Sequence, residues 1–452
     1  MSSRPGNAAQ RSGRVAVPVM ALVGVILVSL NLRTAVTSIS PLLSVIDAEI
    51  GLGAAGMGLL GMVPTAMFAV WGVLTPIVLR RVGLEALTIV AMAAAAIGQL
   101  VRAVAHDPWV MGAGSIIALA GMGVGNVVAP PLVKKYFPRH VATVSMAYIT
   151  GLQLGTVVPA LVAVPVEEAA GWRVSIGWWA VLAVVAAVPW VIEVVRPGTP
   201  TGSPPGATGA TGDETSATPA ATPAATPAAT PAATPAATPG GATGGAPGVP
   251  GGAVATAPQR IRPWRSPVGI ALALFFGTNS LGTYAFFTWL PAVAESIGMT
   301  RAEGGLALAV YSAIGLIAAL VVPFVAGRVD DPYIVVVVSV ASYLAGFAGL
   351  LWAPDLAPWV WICLLGVGPS TFPLCLTLIN LRTRTEAGSA ALSGFSQGVG
   401  YTAACLGPIV FGMLLDGPGL GAGLGFLTAV LAVMTVVART ACRPVMLEDT
   451  LR

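Results

Sequence analysis

Cutting the chain at its charged residues leaves twelve apolar segments of membrane-crossing length, and no other feature restricts the fold so severely. A helix needs about 20 apolar residues to span a hydrocarbon core. The segments are residues 15–46, 50–79, 84–104, 108–133, 141–166, 174–192, 266–294, 304–327, 332–354, 356–381, 387–415 and 417–438. No water inside a bilayer can satisfy backbone N–H and C=O groups, so segments of this kind must be helical. Charged residues form 9% of the chain, against about 25% in soluble domains. That is too little charge to cover the surface of a long soluble chain. The expected class is an all-α membrane protein.

Orientation follows from Lys and Arg. With the N-terminus inside, eighteen of the 22 basic residues fall in segments on the inner side. Arg102, Arg173 and Arg301 fall at outer ends, and Arg33 lies within a span. Both termini and the central insertion are therefore expected in the cytoplasm, with the chain a multi-pass protein of the plasma membrane. Arg4, Arg11 and Arg14 precede a span too long for a signal h-region, so the first helix is expected to remain as an anchor.

The organisation reads as a cytoplasmic tail over residues 1–14, a six-helix half over 15–195, a linker over 196–265, a second six-helix half over 266–440 and a tail over 441–452. The linker repeats Ala-Thr-Pro-Ala-Ala between Ala217 and Pro239. Such composition cannot bury a core and is expected to be disordered. The halves repeat each other. Pro76 and Arg81 have the spacing of Pro323 and Arg328. Gly123, Gly125 and Pro130 match Gly366, Gly368 and Pro373. Gly151 and Pro159 match Gly400 and Pro408, and Pro41 matches Pro291. Two joined six-helix repeats imply alternating access to a site between them near mid-membrane.

Arg33 is the one charge between Val15 and Ile46. A guanidinium at that depth costs roughly 2.5–3.5 kcal/mol on insertion scales. It therefore marks a candidate anchor for an anion or a strong acceptor. At helical spacing Arg33, Thr34, Thr37 and Ser38 share a face, which is expected to line a cavity. Aligning Pro41 with Pro291 places Thr283, Tyr284, Phe287 and Thr288 on the facing stripe. The candidate substrate-binding set is Arg33, Thr37, Asn126, Tyr148, Gln153, Tyr284, Gln397 and Tyr401. Each polar member has a plainer reading as interhelical hydrogen-bonding glue. Asn31 reads as packing, and Trp289 as an interfacial anchor near the outer end of its helix.

Two loops and two helices carry a resemblance. Leu79-Arg80-Arg81-Val82-Gly83 and Ala326-Gly327-Arg328-Val329-Asp330-Asp331 resemble the paired loop signatures of the major facilitator superfamily. The first copy lacks the usual acidic residue. Asn31-Leu32-Arg33-Thr34-Ala35-Val36-Thr37-Ser38 followed by Pro41-Leu42-Leu43, together with Gly394-Phe395-Ser396-Gln397-Gly398-Val399-Gly400-Tyr401, resembles the cyanate permease and 2-nitroimidazole transporter family. Thr34 stands where that family usually has proline. The resemblance implies a secondary transporter of a small solute, often anionic or heteroaromatic.

Enzyme chemistry finds no motif. No His-Glu-x-x-His, Gly-x-Ser-x-Gly or Walker loop occurs, and no carboxylate pair lies at mid-membrane. No cofactor or metal is expected, and no nucleic-acid partner. The expected partners are a small-molecule substrate, the lipid bilayer and, in one scheme, a co-transported proton. The alternatives are a drug or metabolite efflux carrier with a structural Arg33, and a non-transporting membrane receptor. The basic bias predicts that a cysteine at position 168 reacts with an impermeant thiol reagent from outside the cell. Labelling from the cytoplasmic side alone would invert the topology.

Overall fold

Helix boundaries follow local chemistry. Asp107 accepts hydrogen bonds from the Trp109 and Val110 amides at 2.8 and 3.0 Å, ahead of Pro108 at the first helical position. Thr300 and Glu303 form a reciprocal capping box. Gly51 and Gly53, at φ of 69° and 64°, turn the chain between the first two helices, where a side chain would be strained.

The computed structural model describes residues 19–195, 262–329 and 331–450. Its twelve membrane-length helices are α1 (Val19–Ile50), α2 (Gly53–Val82), α3 (Leu84–Ala103), α4 (Pro108–Tyr136), α5 (Val141–Ala170), α6 (Trp172–Val195), α7 (Pro267–Ser296), α8 (Arg301–Ala326), α9 (Tyr333–Trp352), α10 (Pro358–Leu381), α11 (Gly388–Asp416) and α12 (Leu420–Cys442). The expected tail over residues 1–14 lies outside the described residues, as do residues 196–261 of the linker expected over 196–265, whose last residues form a short 3-10 turn at Pro263–Arg265.

Two pairs of matched glycines do matched work in the two halves. Gly151 and Gly155 of α5 lie against Ser29 and Leu30 of α1. Gly400 and Gly407 of α11 lie against Phe276 and Leu281 of α7. Gly123 of α4 packs on Met67 of α2, and Gly366 of α10 on Tyr311 of α8. Bare backbones let helices approach closely where lipid offers no hydrophobic drive. Of the glycines paired by sequence, Gly151 with Gly400 and Gly123 with Gly366 mark the same helix contact in each half, whereas Gly125 meets Leu32 of α1 and Gly368 meets Tyr343 of α9.

The halves meet along α2–α11 and α5–α8, with α1 facing α7. Their closest cross-half contacts lie toward the end that bears Glu167. Arg301 pairs with Glu167 there at 2.8 Å. A Cβ on Gly61 would sit 2.4 Å from Thr288 Oγ1, and one on Gly58 3.1 Å from the Ile409 Cα. Gly305 of α8 faces Ala160 of α5 and Pro41 of α1. The molecule is closed at this end.

At the opposite end, residues expected to form a tail are docked. Leu447 is fully buried, and its amide donates to the Arg382 carbonyl at 2.8 Å. Arg382 in turn donates to the Cys442 carbonyl at 2.6 Å. Glu448 accepts from the Arg384 and Thr385 amides, and Arg384 grips Asp449 with two bonds of 2.6 and 2.8 Å. In the second loop signature, Asp331 joins Arg439 of α12 at 2.6 Å, which holds its carboxyl below the usual carboxylate range. That loop therefore serves its own half.

Gly61 carries the fold prediction. A valine there over-packs the closed seam, a class of change that costs about 1–3 kcal/mol. Spin labels at Glu168→Cys and Ala302→Cys should move several ångströms apart in Gly61→Val. An unchanged distance would show that this seam does not hold the end shut.

Candidate functional site

The site is built on a discontinuity in α1. Its first segment, Val19–Asn31, stops one turn before Thr34–Thr37 begins, and Arg33 sits between them at φ −125° and ψ −5°. The Thr34 hydroxyl donates to the Asn31 carbonyl at 3.0 Å and approaches its side-chain oxygen at 3.1 Å. That supplies locally what the interrupted backbone ladder lacks. The Arg33 carbonyl accepts from the Val36 and Thr37 amides at 3.0 and 3.2 Å. From outside the helix, Gly155 of α5 presses on Leu30, and the Asn31 amide reaches Met92 of α3 at 3.5 Å. The break is held on two sides.

From this break the Arg33 side chain crosses to the other half. Its Nη1 donates to the Tyr284 hydroxyl of α7 at 2.7 Å. Its guanidinium carbon stands 4.8 Å from the Phe68 ring centroid of α2, a cation–π contact. Tyr401 and Tyr148 lie within electrostatic reach of its charge. The rings of Phe68, Tyr284 and Tyr401 form an edge-to-face triangle with centroid separations of 6.0 to 6.4 Å. Among the described residues no carboxylate pairs with Arg33. One donor of the fork is used on Tyr284, and the side chain is half-buried. The arrangement presents a fixed positive charge beside three aromatic rings.

Of the sequence-derived set, the structure brings Arg33, Tyr284, Tyr401 and Tyr148 together. It leaves the other four in different engagements. Thr37 is fully buried and bonds the Arg33 carbonyl at 3.4 Å. The Asn126 amide donates to the Met122 carbonyl of its own helix at 3.2 Å, and Gln397 donates to Ser393 at 2.7 Å. Gln153 lies beside Gly315 at the α5–α8 seam.

Two readings are corrected. The expected polar stripe of Arg33, Thr34, Thr37 and Ser38 does not line a cavity as one face. The turn itself is helical, with i→i+4 bonds from Thr37 to Arg33 and from Ser38 to Thr34, but Thr34, Thr37 and Ser38 are all fully buried against neighbouring helices. Trp289 is not an interfacial anchor. It is 4% exposed, and its indole donates to the Pro408 carbonyl at 2.7 Å, joining α7 to α11. Arg102, counted at an outer end, does lie in the last turn of α3, but it is buried there at 1% exposure. Sequence reasoning also missed Phe68, because a phenylalanine in an apolar span carries no signal that separates a cation–π partner from core.

Comparisons with known proteins bear on the family and the fold. The sequence pattern of the Major Facilitator Superfamily matches residues 22–412. The chain is 25% identical over 403 residues to the 2-nitroimidazole transporter of Escherichia coli (strain K12), covering 89% of each chain. It is 25% identical over 403 residues to the cyanate transport protein CynX of the same organism, covering 87% of this chain and 89% of that one. Its fold is similar to that of a bacterial homolog of the human lysosomal transporter Spinster, with a TM-score of 0.70 at 13% identity, covering 97% and 98% of the two chains.

An unpaired charge at this depth makes a stability prediction. Removing a charge that no carboxylate compensates relieves its desolvation cost. Arg33→Met should therefore unfold at an equal or higher temperature than the parent chain in detergent. A marked fall in the midpoint would mean that Arg33 is there to tie the halves together.

Proposed function

The chain belongs to the major facilitator superfamily, and from that membership we propose that this membrane transporter carries a small planar solute, anionic or heteroaromatic, anchored by Arg33. The observation that carries the reading is a guanidinium without a carboxylate, set among Phe68, Tyr284 and Tyr401 where the halves meet. The relatives named for 2-nitroimidazole and for cyanate support the solute class, since both are small and planar. The family and the fold speak for a carrier rather than an enzyme.

Residues 15–195 and 266–440 are the halves that rock about this site, joined by the linker over 196–265. The positive-inside bias supports cytoplasmic termini in the plasma membrane, with the Glu167 end outside. The described conformation is then shut to the exterior, and the substrate meets Arg33 from the cytoplasmic side. A bound anion neutralises Arg33 and competes for the donor now spent on Tyr284, which links substrate binding to the cross-half bond. Among the described residues no carboxylate lies in the site to relay a proton. Coupling therefore runs by exchange, or by a proton that travels with the substrate.

The Arg33–Tyr284 bond also supports a second reading, an efflux carrier of other metabolites or drugs in which Arg33 is structural. Counterflow in proteoliposomes, against cyanate, 2-nitroimidazole and an aromatic carboxylate, separates the two. Losing one partner of a buried, hydrogen-bonded charge pair costs about 2–5 kcal/mol. Arg33→Ala should therefore abolish counterflow. Arg33→Lys, which keeps the charge without the fork, should fall between. Parental counterflow in Arg33→Ala would leave the efflux reading.

A further inference from the structure

A second buried arginine plays no part in the site just described. Arg102 lies in the last turn of α3 and is 1% exposed. Its Nη1 donates to the Ala35 carbonyl of α1 at 3.0 Å, and its Nε has no partner. Among the described residues no carboxylate pairs with it. One carbonyl dipole does not neutralise a full charge, and an uncompensated buried ion is costly. The charge calls for a counter-ion.

A small cavity lies beside it. Arg102 lines a cavity of about 10 Å³ with Ser40, Gly61, Ser115 and Thr288. That volume holds about one water. The three hydroxyls are spent on carbonyls of their own helices, at 3.2, 2.8 and 2.9 Å for Ser40, Ser115 and Thr288. A hydroxyl hydrogen rotates freely enough to be turned toward an anion. The wall is divided between the halves, because Gly61 and Thr288 meet across the seam that shuts the Glu167 end. Parting that seam opens the cavity beside Arg102. Ala35 is two residues beyond Arg33 on α1, so the cavity is the next step from the transport site toward that end.

We propose that Arg102 is a second anion-binding station, which takes a small monovalent anion when the Glu167 end opens and shrinks to the size of a water when it closes. An anion arriving from that side meets Arg102 first and Arg33 second. The inference rests on the alternating-access reading but not on Arg33 as the anchor.

The test uses the full chain in proteoliposomes, with Cys363, Cys375, Cys405 and Cys442 changed to serine and Ser40→Cys introduced. An uncharged, impermeant thiol reagent is applied on the Glu167 side, in thiocyanate or in gluconate at equal ionic strength. Thiocyanate should slow modification several-fold when Arg102 is present, and should have no effect in Arg102→Gln. Protection should persist in Arg33→Met, which separates this station from the transport site. Absence of protection in the Arg102 chain overturns the proposal, and that reading requires no variant at Arg102 to fold. Protection that survives Arg102→Gln, protection lost in Arg33→Met, or an introduced thiol that never reacts from that side also overturns it. Loss of counterflow in Arg33→Ala bears on the anchor alone.

Discussion

A guanidinium at mid-membrane depth, with a phenol hydroxyl in place of a carboxylate, is the interaction on which the rest of this structure depends. Arg33 could be neutralised by an acidic residue on a neighbouring helix, and the site would then bind nothing negative. Instead the Tyr284 hydroxyl accepts one bond at 2.7 Å, and Phe68 presents its face. A neutral acceptor and a ring quadrupole stabilise the cation without cancelling it. The charge therefore stays uncancelled, at the cost of stability that packing elsewhere must supply.

That packing comes from close helix contacts. The break at Arg33 exposes backbone that lipid could not satisfy, so it survives only inside protein. Gly155 brings α5 onto Leu30, and Met92 of α3 meets the Asn31 amide. Beyond the break, Arg102 of α3 reaches the Ala35 carbonyl. The irregular stretch of α1 is thus clamped within its own half, while the Arg33 side chain reaches into the other. This division suits a carrier, in which each half stays rigid and only the contacts between halves exchange.

The two ends of the bundle are held differently. The Glu167 end is shut by bare seams at Gly58, Gly61 and Gly305 and by the Arg301–Glu167 pair, all between halves. At the far end the bonds stay within one half: Lys135 with Glu85, Arg439 with Asp331, and the docked segment around Leu447. Contacts that must break are small-residue seams and a partly exposed ion pair, worth little individually. Contacts that can persist include buried ones.

The sequence by itself determined the twelve spans, the two repeated halves and the depth of Arg33. These depend on where charge is absent, and a bilayer enforces that pattern residue by residue. The glycine and proline matches between halves were legible for the same local reason, and so was the facing of Arg33 and Tyr284 that follows from aligning Pro41 with Pro291. What only the tertiary structure decided was how the chain departs from regular helices, and what each buried group touches. Beyond the break after Asn31, Thr34, Thr37 and Ser38 are packed inside protein, and no periodicity reports a break or which face a neighbouring helix covers. Phe68 became a cation–π partner, Trp289 a strut to Pro408 and Arg102 a buried charge through neighbours more than sixty positions away or on other helices. A side chain's environment is set by the helices packed against it, and linear spacing carries no record of which helices those are.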